Sequence, residues 1–384
     1  MALTKKKVFL LVSLTLSAIV FVAILAIAIL IYLVFDAMAL PVLDVSPNDS
    51  TVNRIKKVDA WLRTTHESEK ELVTFNGSVL IMKDQKVLLM KSWGYTDATN
   101  AVEIDPQTSM RLASVSKQFT AAAVLVLATQ GKIVLDEPVK TYLDSFPYAD
   151  VTVRHLLNMT SGVPDCYMEL AEKHKDELGE VLSIQDVVKL IAKDPPERRA
   201  GVNEVYKYSN TSYVLLAALV EVASGQSFEE FTSKTLFEPL EMGNTRVWNL
   251  LSEDSSFPNK AGTFIFSENL ECGFIDGVAG DGGVFSSVED FVIWEQFWRG
   301  NESVSSELLK QAFQSVKLKD GSVSDYGFGW VTADYGSWHN GSWMGARTYV
   351  IRDVKNGLFI VVLDNSSSIS VDFIAEQLHE AMRK

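Results

Sequence analysis

An uncharged run of 28 residues, Val8 to Phe35, divides this chain before any fold can be assigned to it. As a helix it would reach about 42 Å at 1.5 Å per residue, more than the roughly 30 Å hydrocarbon core of a bilayer. Lys5, Lys6 and Lys7 precede it, and positive charge on the short flank keeps that end in the cytoplasm. The expectation is a cytoplasmic tail at residues 1–7, a transmembrane signal-anchor at 8–35, a linker at 36–53 and an extracytoplasmic domain at 54–384. The competing reading is a cleaved signal peptide, because Ala37-Met38-Ala39 has the small-x-small cleavage pattern, although the run is about twice an ordinary signal h-region.

The whole chain carries a net charge of −14, and without the three lysines the remainder is more acidic still. That balance argues against nucleic acid or a basic membrane-docking surface. Cys166 and Cys272 are the only cysteines. They form one disulfide in an oxidising compartment or stand as two buried thiols, and no C-x-x-C or His/Cys metal spacing occurs. No metal or organic cofactor is called for.

A helix is expected at about 53–72, with Ile55, Val58, Trp61 and Leu62 on one face. Gly77–Met82 and Lys86–Trp93 read as a hairpin across Lys83-Asp84-Gln85. From about 119 to 325 helical patterns dominate, among them Val187–Ala192, Tyr213–Ala223, Phe228–Leu236 and Val288–Trp298. Strand patterns return at Gly327–Val331, Arg347–Ile351 and Leu358–Leu363, and an amphipathic helix closes the chain at Val371–Met382. Strands at both ends with helices between predict an α/β (α+β) fold, one antiparallel sheet built from the two termini with a helical lobe inserted in the middle.

Ser114-Val115-Ser116-Lys117 opens an apolar helix, Gln118 to Thr129. Residues three apart on a helix sit one turn from each other, so the Ser114 hydroxyl can meet the Lys117 amine, a nucleophile and a base without histidine. The helix start adds partial positive charge and free N–H groups where an oxyanion would form. Alone, Ser-x-x-Lys is a weak signal. Two more polar groups accompany it: Tyr208-Ser209-Asn210, in a turn before a helix, and His339-Asn340-Gly341-Ser342, in the returning strands.

With these three groups in order, the chain resembles the serine β-lactamase and penicillin-binding protein superfamily, most closely the class C branch with its D-aminopeptidases, DD-carboxypeptidases and esterases. Arg111 to Thr120, Gly131 to Pro138, His155 to Gly162, Pro239 to Met242 and Gly280 to Gly283 resemble further landmarks of that family, and the resemblance extends over roughly 54–383. It implies a β-lactamase-like fold and an acyl-enzyme at Ser114. Lys117 or Tyr208 takes the nucleophile's proton, a division of labour left open. Asn210 holds a substrate carbonyl and orients Lys117, and the N–H groups of Ser114 and Ser342 form the oxyanion hole.

The departure lies in the third group, where class C enzymes usually carry Lys-Thr-Gly. His339 replaces the fixed charge, and a free imidazole is mostly neutral at pH 7. Substrate binding is assigned to Asn210, His339, Gly341, Ser342 and Arg347, the last expected at strand spacing on the face of His339, where it would meet a carboxylate. His155 reads as a packed or capping residue, and His66, His174 and His379 as solvated. Trp330, Trp338 and Trp343 are candidates to line a cleft. Gly-x-Ser-x-Gly is absent, which removes the α/β-hydrolase elbow.

The reading is a serine hydrolase of small-molecule or peptide substrates: D-amino-acid peptides of cell-wall type first, small esters next, β-lactams third. The alternative is a catalytically idle sensor or membrane scaffold. Seven Asn-x-Ser/Thr sequons include Asn210 and Asn340. A glycan there would block the site, so a bacterial periplasm or cell surface is the expected location.

Overall fold

The computed structural model describes residues 40–252, 257 and 259–383. The run Val8–Phe35, read above as an anchor, lies outside the described residues, and among those described no helix is long and apolar enough to cross a membrane.

Helix α1 (Thr51–His66) opens on the Ser50 side chain, which accepts from Asn53 N–H, a cap two residues earlier than the apolar pattern indicated. It ends at His66 rather than near 72. The Thr74 hydroxyl donates to the carbonyls of Ser68 and Lys70, closing a turn that brings Phe75 into the core. Strands β1 (Gly77–Lys83) and β2 (Lys86–Trp93) follow, joined through Asp84 and Gln85, both at positive φ, the geometry of a tight two-residue hairpin. A short 3₁₀ turn, Ala113–Ser116, leads into α2 (Lys117–Thr129). Next come α3 (Asn210–Ser224), begun by Ser209 and stopped by Gly225 in the left-handed region, and α4 (Val288–Arg299). The chain returns in β3 (Val331–Ala333), β4 (Gly336–Trp343), β5 (Ala346–Asp353), β6 (Leu358–Asp364) and α5 (Val371–Arg383).

These six strands form one antiparallel sheet in the order β3-β4-β5-β6-β1-β2. Strand β6, from near the C-terminus, lies beside β1 from near the start, with Gly77 opposite Asp364. Helices α1 and α5 cover the outer face, where Val58, Leu62, Ile374 and Leu378 meet the odd-numbered side chains of β1. The inner face packs on the helical lobe. Helix α2 is buried almost all round, as an apolar helix must be, with Phe119 stacked 4.0 Å from Trp294. A terminal-segment sheet with an inserted helical lobe is the architecture the sequence predicted.

Three local expectations change. Gly327–Trp330 is not strand: Gly327 N–H donates to Trp330 O in a tight turn, and Trp330 is wholly buried core. Phe228–Thr232 is α-helical, but Ser233–Phe237 widens into a π turn. The stretch read as a linker is bound chain from Leu40 onward. Leu43 and Val45 are buried against α1 and α5, and the 93% buried Arg54 donates to the carbonyls of Pro47, Asp49 and Ala381.

Candidate active site

Ala113 carries a positive φ of 48°, a strained conformation for a residue with a Cβ, and it turns the chain so that Ser114 enters the lobe–sheet cleft. Strand β4 presses on that turn. A Cβ at Gly341 would lie 2.9 Å from Ser114 N and 2.5 Å from Leu112 O, so only glycine lets the two backbones meet. β3 pairs with β4 only over Gly336–Trp338. From His339 onward, therefore, one edge of β4 has no strand partner and runs past Ser114.

Lys117 is fully buried. Its Nζ donates to Ser114 Oγ at 3.0 Å, Asn210 Oδ1 at 2.8 Å and the backbone O of Asp281 at 2.8 Å. Three acceptors match the three protons of an ammonium. The last two are fixed oxygens that go on accepting the two remaining N–H protons if the amine loses one, and the lone pair so freed points at Ser114. Asn210 is tied in turn, its Nδ2 donating to Asp165 Oδ2 at 2.9 Å, while Asp165 Oδ1 accepts from Thr211 N. The Tyr208 ring lies 5.0 Å from Lys117 Nζ and edge-on to Tyr326.

His339 is buried beside them. Its Nδ1 donates to Asn340 O at 2.6 Å and its Nε2 accepts from Tyr326 OH at 2.9 Å. Burial first, then the Lys117 charge, push the imidazole down to about 3, so it is neutral with both nitrogens engaged. It offers neither charge nor a free base.

Arg347 does not share its face, which corrects the expectation. Ser342 pairs with Arg347 and His339 with Val350, and directly opposed residues point to the same side of a sheet. The two-residue turn Met344-Gly345, both at positive φ, reverses the parity counted along the sequence. Arg347 therefore projects on the outer face. So does Asn340, whose Nδ2 donates to Asp372 of α5 at 3.2 Å, and a glycan there would not block the cleft.

The cavity behind Ser114 is small, about 80 Å³, and is lined by Met168, Ile275, Tyr167, Asp281 and Trp343. Asp281 went unremarked in the sequence beyond its place in a glycine-rich landmark. Its Oδ2 accepts from Tyr167 OH at 3.0 Å; burial raises its carboxyl above the ordinary range, against the pull of Lys117. Arg111, at the same wall, is neutralised by Asp276 at 3.0 Å, and Asp276 also accepts from Trp343 Nε1. Of the three tryptophans, only Trp343 lines this cavity. Trp330 is core, and Trp338 stacks on Tyr349 at 5.3 Å.

Cys166 and Cys272 are free thiols, the former beside Thr211 and the latter 3.1 Å from Arg111 Nη2. Of the packed and capping roles open to His155, it takes the capping one, closing a capping box with Thr152. The other three histidines are not simply solvated. His379 is buried against Asp353 at 2.7 Å, His66 meets Phe75 O and His174 meets Asp194. Among the described residues no group of three or more His, Cys, Asp and Glu side chains converges as a metal site.

A serine held by a buried lysine at the head of a buried helix, under the open edge of an antiparallel sheet, defines a class: the serine hydrolases of the β-lactamase and penicillin-binding protein superfamily. Residues 66–380 match the family described as Beta-lactamase, and the chain belongs to it. It is 33% identical over 322 residues to penicillin-binding protein 4* of Bacillus subtilis, an alignment covering 79% of this chain and 71% of that one. It is 30% identical over 258 residues to the D-aminopeptidase of Brucella anthropi, covering 66% of this chain but only 48% of the relative. The fold superposes on an octameric penicillin-binding protein homologue from Pyrococcus abyssi with a TM-score of 0.72 and 26% identity, covering 85% of this chain and 77% of that one.

Proposed function

We propose that the chain is a membrane-anchored, exported serine hydrolase that forms an acyl-enzyme at Ser114 and hydrolyses amides or esters of small D-amino-acid compounds. The observation that carries the reading is the Lys117 ammonium, wholly buried and held so that its third hydrogen-bond direction is Ser114 Oγ. On losing a proton it accepts that of Ser114 as the hydroxyl attacks the carbonyl. Tyr208, beside Nζ, relays the proton so taken up by Lys117 to the leaving group. The N–H groups of Ser114 and Ser342 stabilise the developing oxyanion, and Asn210 fixes the lysine. Water then hydrolyses the ester. The anchor is the apolar run Val8–Phe35 with its lysine flank, which places the domain outside the cytoplasm.

Substrate choice follows from charge. His339 is neutral, Arg347 faces away and Arg111 is paired, so none of these three offers a free cation to a substrate carboxylate. Asp165, exposed and hydrogen-bonded to Asn210, instead puts a carboxylate beside the site. That favours acyl groups bearing an amine, in line with the D-aminopeptidase relative, then neutral esters, and disfavours the carboxylate of β-lactams. The test compares kcat/KM on D-alanine p-nitroanilide, its N-acetyl derivative, p-nitrophenyl acetate and benzylpenicillin. A preference of about tenfold for the free amine, worth about 1.4 kcal/mol, and its loss in Asp165→Asn are expected. Benzylpenicillin as the best substrate would contradict the assignment.

A further inference from the structure

The chain enters the domain at the same end as the active site. Pro41 O accepts from Trp61 Nε1 late in α1, Leu43 N–H donates to Gln377 in the middle of α5, and Pro47 and Asp49 meet Arg54 early in α1. The segment thus runs antiparallel to α1, and Leu40 lies toward the end of α1 and the start of α5, where Trp61 and Phe373 rings are 6.4 Å apart. At that end His66 Nδ1 meets Phe75 O just before β1. Across the sheet, Gly77, Asp364, Arg347 and Ser342 continue the row, and Ser342 borders the cavity of Ser114.

The same end carries exposed apolar side chains. Leu72 and Ile369 are 42% and 38% exposed and joined by Ile369 N–H donating to Leu72 O at 3.0 Å. Ser367, two residues earlier, donates through Oγ to Phe264 O at 3.0 Å and through its N–H to Gly345 O. That contact brings in the small hairpin Phe264–Asn269, whose tip shows Ile265 and Phe266 at 37% and 53% exposure. These four form a rim next to the Trp343 side of the cleft. Only Asp36 to Ala39 separate Leu40 from the apolar run, a reach of about 14 Å at most; an undocked tether from 36 to 53 would allow about 60 Å.

We propose that this rim rests on the lipid surface, so that the cleft opens at the membrane–water interface and takes acyl substrates presented there. The inference rests on the anchoring read from the sequence. Because the domain is strongly acidic, the contact is apolar rather than electrostatic, and zwitterionic lipid suffices.

The full-length chain, reconstituted in phosphatidylcholine vesicles, carries an environment-sensitive fluorophore at Phe266→Cys or Ile369→Cys in a Cys166→Ser/Cys272→Ser background. The control is Val354→Cys, 51% exposed at the opposite end of the sheet. Brominated phosphatidylcholine should quench the rim labels at least threefold more than the control. Equal quenching in a chain that sediments with the vesicles overturns this inference alone, whereas a chain that stays in the supernatant overturns the anchoring as well. As a second measurement without the cysteine background, Phe266→Asp and Ile369→Asp should leave hydrolysis of a soluble ester unchanged. They should slow that of a vesicle-embedded long-chain ester about tenfold, and equal rates on both refute the proposal.

Discussion

His339 should make the protein acid-sensitive in a calculable way. Its imidazole is held down at about 3 by burial and by Lys117, against about 6.5 in an unfolded chain. Between those values the unfolded chain binds a proton that the native state refuses, so stability rises with pH through this window and is lost as pH falls from about 6.5 toward 3. At 1.36 kcal/mol per pH unit of displacement, the loss between pH 8 and pH 5 is about 2 kcal/mol. His339→Gln removes the titrating group while leaving Tyr326 an acceptor. Urea unfolding of both proteins at pH 8 and pH 5, followed by tryptophan fluorescence, gives a difference of differences in which all other titrations cancel. The parent should lose about 2 kcal/mol more than the variant. Equal losses would mean that the histidine charges freely in the folded site, and the neutral, doubly bonded imidazole described here would be wrong.

Three other substitutions follow from the geometry. Gly341→Ala places a methyl 2.4 Å from Thr348 Oγ1 and 2.9 Å from Ser114 N; it should cost about 1–3 kcal/mol and lower acylation with it, checked by melting temperature and labelling rate on one sample. Arg347→Ala, on the outer face, should leave acylation of a carboxylated substrate within about twofold by the same labelling assay, since a charge beyond the sheet is screened. Asn210→Ala removes an acceptor from Lys117 and the tie to Asp165; burst kinetics should show acylation slowed about 10²-fold with the circular dichroism spectrum retained.

Much of this molecule was legible in its sequence because periodicity and turn chemistry are local. The apolar runs of β1 and β6, the helix faces and the Asp84-Gln85 turn all read directly, and Ser114 to Lys117 announce their own contact through one helical turn. What stayed hidden depends on parity and on tertiary pairing. Arg347 sits an even number of residues from His339, yet the two-residue turn at Met344-Gly345 puts them on opposite faces. Asp165, Tyr167 and Asp281 are ordinary loop and helix residues until the lobe folds them around Lys117. His379 gives no sequence sign of Asp353, 26 residues earlier, and nothing in Pro41 to Asp49 shows that its carbonyls will be held by Trp61 and Arg54.

The central claim is that Ser114, poised by Lys117 at 3.0 Å, is the residue that becomes acylated. Reaction of the full-length chain with a fluorophosphonate, digestion and peptide mapping test it most directly. One adduct on the peptide containing Ser114 is predicted, absent in Ser114→Ala, whose retained fold is checked by its circular dichroism spectrum. An adduct on another serine, or one that persists in the folded variant, would contradict the account.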